Sequence, residues 1–404
     1  MLSVTEARER ILSHFQPKAT ETVSLIASAN RVLGADITAD HDYPPFDNSA
    51  VDGFALRAED TSASLTTLKV VADIPAGAHP QVLLSAGEAA RIMTGAQIPE
   101  GANAVVLVED TDFSDRQAGL PAPSQVTFKK TLNPGENVRR RGMDVRTQEI
   151  VLQKGRLLKP QDLGVLAMLG VGDVTVFHRP RVALLSSGDE LLDVHAPLEP
   201  GKIRDTNSYT IAALAENAGA EVLRLGVARD TREAVTALLD QAAQSQADLI
   251  LSSAGVSVGA FDYIKEVIDA NGKMDFWKVN MRPGKPLAFG AYRGIPFIGL
   301  PGNPVSAFVG FEVFVRPVLE RMNGRMDSTR PRVKVRCAEQ IESDGRESYL
   351  RARVYIEGGI QTATLTGHQG SGNLLSLVQA DALLIIPAGV KCVPAGQEVD
   401  AYLL

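Results

Sequence analysis

The sequence predicts a multidomain α/β protein. Its parts are a mostly parallel α/β domain, a β-rich insert, a helix-containing N-terminal module and a small C-terminal β-barrel or sandwich. Three observations predict this. Apolar strand runs alternate with helices across 179–327, the rhythm of a parallel sheet covered on both faces. Short β-like runs punctuated by Gly, Pro and Asn fill 47–145. After Arg330, strands follow one another with only turns between them.

The elements follow in chain order. MLSVTEARERILSHF has apolar positions at helical spacing behind a Ser/Thr-rich start, so 3–15 reads as an amphipathic helix and not as a signal peptide. The runs 68–74, 82–84, 104–108 and 126–128 read as strands of the insert. Residues 157–169 read as helix and 174–177 as strand, so 1–46 and 146–178 make one discontinuous module around the insert. RVALLSS, EVLRLGVA, ADLILSSAG and IPFIGL are the strands of the α/β domain. NSYTIAALAENAG, REAVTALLDQAAQS, DYIKEVIDANG and NPVSAFVGFEVFVRPVLERM are its helices, the last one long. In 328–404, RVKVRCAEQI, YLRARVYIE, IQTATLTG, DALLIIPA and EVDAYLL read as strands, with no helix expected.

Composition narrows the function. The chain has 404 residues, 45% hydrophobic and 22% charged, and its net charge of −7 argues against a general nucleic-acid binder. Two cysteines are too few for a disulfide framework and match no zinc pattern, and no two of the six histidines stand at metal-ligand spacing. The longest apolar runs, such as LLIIPAGV, are too short to span a membrane. A cytoplasmic enzyme or binding protein is expected.

In an open parallel sheet, ligands bind at the carboxyl ends of the strands. RVALLSS leads to GDEL with Glu190, EVLRLGVA to Arg229 and Asp230, ADLILSSAG to VSVGAFDY with Asp262, and IPFIGL to PGNPVS. Several of these features suit an anion. Gly255 and Gly259 with Ser252, Ser253 and Ser257 form a small-residue loop before a helix. In PGNPVS, Pro301 to Ser306, Asn303 stands at an N-cap position and Pro304 at the first helical one. Lys278, Arg282 and Lys285 add cations in the Gly/Pro-stiffened KVNMRPGKP. Glu190, Asp230 and Asp262 would converge on the same crevice, where acids face phosphates only with a cation such as Mg²⁺ between them. Taken singly, each has a plain structural meaning: a connecting loop, a helix cap, a solvated basic face. Arg139, Arg140 and Arg141 likewise read as a solvated run. PPFDNSAVDGFA poses a separate question. Turn formation explains Pro44, Pro45, Asn48 and Gly53 but not Asp47 and Asp52.

FDNSAVDGFA, RIMTGAQIPEGANAVV, GENVRRRGMDV, LLSSGDEL, DTN, SSAGVSVGAFDY, MRPGKPLAFG, GLPGNPVSA and TGHQGSG occur in this order. Together they resemble the molybdopterin molybdenumtransferase family, of the MoeA and gephyrin E-domain type, over essentially the whole chain. The resemblance implies an L-shaped homodimer with four domains per subunit. These are a dimerisation module (1–46 and 146–178), the insert (47–145), a molybdopterin-binding α/β domain (179–327) and a C-terminal β domain (328–404). It also implies the reaction: adenylylated molybdopterin and molybdate are the substrates, Mg²⁺ is the cofactor, the pyrophosphate link is cleaved and AMP is released.

Family roles pass to matching positions. Glu190, Asp230 and Asp262 match acids that act through metal and phosphate positioning. Ser253, Gly255, Ser257 and Gly259 belong to the substrate loop. Lys278, Arg282 and Lys285 match the segment that holds the pterin phosphate or molybdate, with Arg282 where a familiar family form has Lys. Pro301 and Pro304 match the prolines of the PGNP turn, which also carries Asn303 and Ser306. Arg351 in YLRAR and Ser371 in HQGSG match the C-terminal contribution to the molybdate pocket. Asp52, Thr94 and Asp144 sit on the insert, which in the family approaches the α/β crevice of the other subunit, while Asp47 and Asn48 shape the turn. A molybdopterin adenylyltransferase and downstream molybdoenzyme chaperones are the implied partners, with no nucleic acid and no membrane. Three alternatives stay open: the adenylylation step, a non-catalytic molybdopterin-binding scaffold, and a tungstate-preferring paralogue. The motifs outside the α/β part argue against the first.

Overall fold

The computed structural model describes residues 1–61, 65–113, 121–253, 263–325 and 330–404, with residue 276 described by its backbone alone. It divides into two compact units: residues 1–35, 155–167 and 171–404, and residues 36–154 with 168–170. Among the described residues no helix is long and apolar enough to cross a membrane.

The larger unit is built on a six-stranded sheet. Its strands are β1 (Arg181–Ser187), β2 (Glu221–Ala228), β3 (Leu249–Ser253), β4 (Gly272–Lys278), β5 (Pro286–Tyr292) and β6 (Ile295–Leu300), in the order β2-β1-β3-β6-β5-β4. The first four in that order run parallel, while β5 is antiparallel to β6 and β4 to β5. Neither β4 nor β5 is among the strands expected from the sequence. GKMDFWK carries three charges in seven residues, the composition of a half-exposed edge strand.

Side-chain parity along β1 sorts the two faces. Val182 and Leu184 join a core with the helix Asn207–Asn217, the N-terminal helix Val4–Leu12 and the helical segment that follows β6. Ala183 and Leu185 join the opposite core with the helices Arg232–Gln244 and Tyr263–Asn271. The N-terminal helix starts at a capping box: the Glu6 N–H donates to Ser3 Oγ (3.1 Å) and the Ser3 N–H to Glu6 Oε2 (2.9 Å). Its Val4, Ala7 and Ile11 are buried at i, i+3 and i+7.

The long helix expected after PGN is continuous but not uniform. It runs α over Pro304–Gly310, π over Phe311–Val315 and α again over Arg316–Met322. Pro317 explains the change. It lacks an N–H, and its ring would collide with the carbonyl four residues earlier in a regular α-helix. Widening the preceding turn relieves this, and the Arg316 N–H donates to the carbonyl of Phe311.

Beyond Arg330 the chain closes a five-stranded barrel. Glu347–Glu357, Ile360–Leu365, Arg332–Cys337, Glu398–Leu403 and Ala382–Ile386 pair in turn, and the last returns to the first. Val335, Leu350, Ala352 and Leu384 fill it. The expectation of no helix here is corrected: Leu374–Val378 forms a short one, with Ser376 and Leu377 buried.

The smaller unit is a five-stranded sheet in the order Ala104–Leu107, Gly53–Leu56, Glu88–Ile92, Thr66–Ile74, Gln125–Phe128. The expected strand over 82–84 is absent, and Leu83 makes only an isolated bridge to Glu100. Gly53 cannot be replaced: a Cβ there would lie 1.9 Å from the carbonyl oxygen of Val106 on the neighbouring strand.

Candidate functional site

At the carboxyl edge of the central sheet, β1 ends at Ser187 and hands over to Gly188, Asp189 and Glu190. β2 ends at Ala228, followed by Arg229 and Asp230. The two turns are tied reciprocally. The Asp189 N–H donates to Asp230 Oδ2 (3.4 Å) and the Asp230 N–H to Asp189 Oδ1 (3.2 Å). An open cavity of about 860 Å³ lies beside them, lined by Glu190, Asp205, Asn207, Ser253, Asn303 and Gly372, among others. Asn207 fixes the spacing of its walls: its Nδ2 donates to Ser253 Oγ at the end of β3 (2.8 Å) and to the Gly302 carbonyl after β6 (2.7 Å).

The start of the helix after β6 is crowded with contacts. Asn303 occupies the N-cap position and Pro304 the first helical one, but the Asn303 side chain makes no capping bond. The Val305 N–H instead donates to the carbonyl of Ser371 (3.0 Å), which brings the HQGSG loop to this helix. Gly284, at φ +95°, also lies here, and a Cβ on it would sit 3.4 Å from the Ser306 carbonyl oxygen. The segment carrying Lys278, Arg282 and Lys285 thus packs against the same helix start. Pro301 and Ser306 are buried there, whereas Lys278 and Lys285 are exposed. Arg282 stands 4.0 Å from Asp344.

Arg351 is the most unusual side chain of the unit. It projects from Glu347–Glu357 and is fully buried. Its Nε donates to Ser376 Oγ (2.9 Å) and its Nη2 to the carbonyls of Gly370 (3.0 Å) and His368 (3.5 Å). Its Nη1 is buried with no partner. Burial and the positive charge of Arg282 push its pKa down to about 10. A buried guanidinium edge that gives up water and gains no acceptor is costly unless an anion meets it.

Four of the sequence-derived candidates, Gly255, Ser257, Gly259 and Asp262, lie outside the described residues. Among the described residues no three His, Cys, Asp or Glu side chains cluster as a metal site. Glu190, Ser253, Asn303 and Pro304 line the cavity, and Asp230 is tied to the turn that carries Glu190. Asp52, Thr94 and Asp144 belong to the smaller unit. There Asp52 Oδ1 accepts both the N–H and the hydroxyl of Thr94, each at 2.7 Å. Asp144 is exposed, and its N–H donates to the Tyr43 carbonyl (3.0 Å). Asp47 is held by Arg140 Nη1 and by the Arg141 N–H, both at 2.7 Å, so it does shape its turn. Asn207, Gln369 and Ser376 are not among the residues expected from the sequence. The first two lie within the motifs DTN and HQGSG, where polar residues beside a strand or helix end were the available signal.

Three family models cover nearly the whole chain. They are described as "MoeA N-terminal region (domain I and II)" over 2–170, "Probable molybdopterin binding domain" over 183–321 and "MoeA C-terminal region (domain IV)" over 334–404. The chain is 38% identical to a molybdopterin molybdenumtransferase of Haemophilus influenzae, over 99% of this chain and 98% of that one. It is 39% identical to molybdopterin molybdenumtransferase 2 of Mycobacterium tuberculosis, over 100% and 99%. The crystal structure of a molybdopterin biosynthesis MoeA protein from Pyrococcus horikoshii OT3 superposes with a TM-score of 0.84 at 32% identity and covers all of both chains.

Proposed function

The chain belongs to the molybdopterin molybdenumtransferase family, and from that premise we propose that it inserts molybdenum from molybdate into adenylylated molybdopterin, cleaving the pyrophosphate bond and releasing AMP. One observation carries the oxyanion half of this reaction. The fully buried Arg351 keeps its Nη1 without a partner, next to the charge of Arg282. A tetrahedral oxyanion offers the acceptor that this edge lacks. Ser371 follows Gly370, whose carbonyl holds Arg351 Nη2, and Lys285 is assigned to the same oxyanion. The elongated nucleotide half fits the large cavity, with Ser253, Asn303 and Pro304 in its wall.

Glu190 and Asp230 are the described acids suited to hold Mg²⁺, which takes one or two carboxylates and completes its shell with water and phosphate oxygens. Bound there, the ion would neutralise pyrophosphate charge. Asp262 belongs to the same assignment. The protein's own part is positioning and charge neutralisation, with no nucleophilic side chain required. We assign Asp52, Thr94 and Asp144 to turnover, delivered by the partner subunit of a homodimer. The cytoplasmic setting, and an adenylyltransferase and molybdoenzyme chaperones as partners, belong to the same proposal.

The test is AMP release from adenylylated molybdopterin and Mg²⁺, with and without molybdate, for the wild type and for Arg351→Ala and Asp52→Ala. Molybdate-dependent release, lost in both variants, is expected. Tight nucleotide binding without release under any oxyanion would overturn the transferase assignment.

A further inference from the structure

We propose that Ser376 is a positioning residue for oxyanion capture, acting through Arg351; this rests on the placement of Arg351 in the oxyanion pocket. A guanidinium has five N–H donors in a planar fork. In Arg351 the Nε–H is taken by Ser376 Oγ (2.9 Å) and Nη2 by the carbonyls of Gly370 and His368. Only Nη1 is left over. Which edge of the fork is free is therefore decided by which acceptors hold the other two nitrogens.

The direction of the Ser376 contact is fixed. A serine hydroxyl has one proton, and Ser376 spends it on the Asn373 carbonyl at 2.6 Å. Its oxygen can then only accept from Arg351. Ser376 sits on Leu374–Val378 and is 1% exposed, so water does not substitute for it. Gln369 holds the other end. The Arg351 N–H donates to Gln369 Oε1 (2.9 Å), and Gln369 Nε2 donates to the Arg351 carbonyl (3.1 Å). With the backbone clamped and Nε held, the guanidinium plane cannot swing about its last bonds. Removing the Ser376 hydroxyl leaves the plane held at Nη2 alone, so it can pivot there and turn Nη1 out of its present direction. The oxyanion would then have to reorder the side chain as it binds, at a cost in affinity.

The experiment measures the molybdate dependence of AMP release by the full chain, with nucleotide affinity measured separately by calorimetry. Ser376→Ala is expected to raise the apparent KM for molybdate about tenfold, the lower end of what one hydrogen bond to a charged group is worth. Its kcat at saturating molybdate falls by less, and nucleotide affinity holds. Ser376→Thr keeps the hydroxyl and recovers the wild-type KM. Ser376→Cys, a weaker acceptor of similar volume, falls between them and serves if the Ala variant does not fold. A merely structural role would lower nucleotide affinity and thermal stability together, without a selective change in KM, and that result would overturn the proposal. Arg351→Ala separates the two levels. If it leaves the molybdate KM unchanged, the placement of Arg351 fails. If it raises KM while Ser376→Ala does not, only the role of Ser376 fails.

Discussion

On the proposed reading, Arg351 gives the site its pH signature. Burial and Arg282 lower its pKa to about 10, against an ordinary guanidinium value of about 12.5 or more. The folded protein therefore holds this proton less firmly than the unfolded chain does. Without a ligand, the charged form costs stability at every pH below about 10, and the cost is relieved as pH rises through that value. A bound dianion reverses the balance, because it favours the cation. The molybdate-induced rise in Tm should therefore be constant from neutral pH to about 9 and shrink above about 10; Arg351→Ala should show no such rise at any pH. Thermal melts in paired buffers, with and without molybdate, check this. The free Nη1 was not legible in the sequence, where YLRAR reads as an ordinary strand. Glu190 and Asp230 were legible, because each follows a recognisable strand run and strand ends define the crevice. Ser376 was not, because its importance depends on which donor folds against it.

At the scale of the element, the long helix after β6 shows how far pattern reading reaches. Its start was marked by Asn303 and Pro304, and its length by apolar residues recurring as far as Met322. The π turn was signalled only by Pro317, whose effect depends on how the neighbouring turn can relax. Glu312 lies on that turn with no side-chain exposure. It accepts from Arg316 Nε (2.7 Å) and Nη2 (2.9 Å), and from Arg330 Nε (2.5 Å). Burial alone would raise its pKa, but the bonds from Arg316 and Arg330 outweigh it and hold the carboxyl below its ordinary 4.5. The stabilisation is therefore complete above the usual carboxylate range and is lost as pH falls through the lowered value. Glu312→Gln leaves two guanidinium groups short of their counter-charge and should cost about 3–5 kcal/mol, the usual penalty for breaking a buried pair. The deficit should narrow on acidification, because the wild type loses the same charge. Urea unfolding at neutral pH and in steps below the usual carboxylate range of about 4 would read both effects; equal stability of the two proteins at neutral pH would show that the pair contributes nothing.

At the scale of the molecule, the insert could be read as an insert because the α/β rhythm gives way to short strands and returns downstream. Its exact seams could not be read, since they are set by backbone pairing. The Gly155 N–H donates to the Leu33 carbonyl (2.8 Å) and the Leu33 N–H to the Arg156 carbonyl (2.9 Å), so the chain leaves and re-enters the larger unit side by side. Both partners of each bond belong to the unit that contains the sheet and barrel. Replacing 36–154 by a Gly-containing turn of about four residues is therefore compatible with that stem. The shortened protein should fold, keep the molybdate-induced rise in Tm that depends on Arg351, and bind the nucleotide. Turnover is where it should fail, because Asp52, Thr94 and Asp144 leave with the insert. A loss in AMP release of at least about 100-fold is expected, the size of effect that follows when positioning at the reacting centre is lost. Undiminished release by a folded, shortened protein would remove the three insert residues from the mechanism. It would leave the whole reaction to the larger unit, which holds Glu190, Asp230 and Arg351.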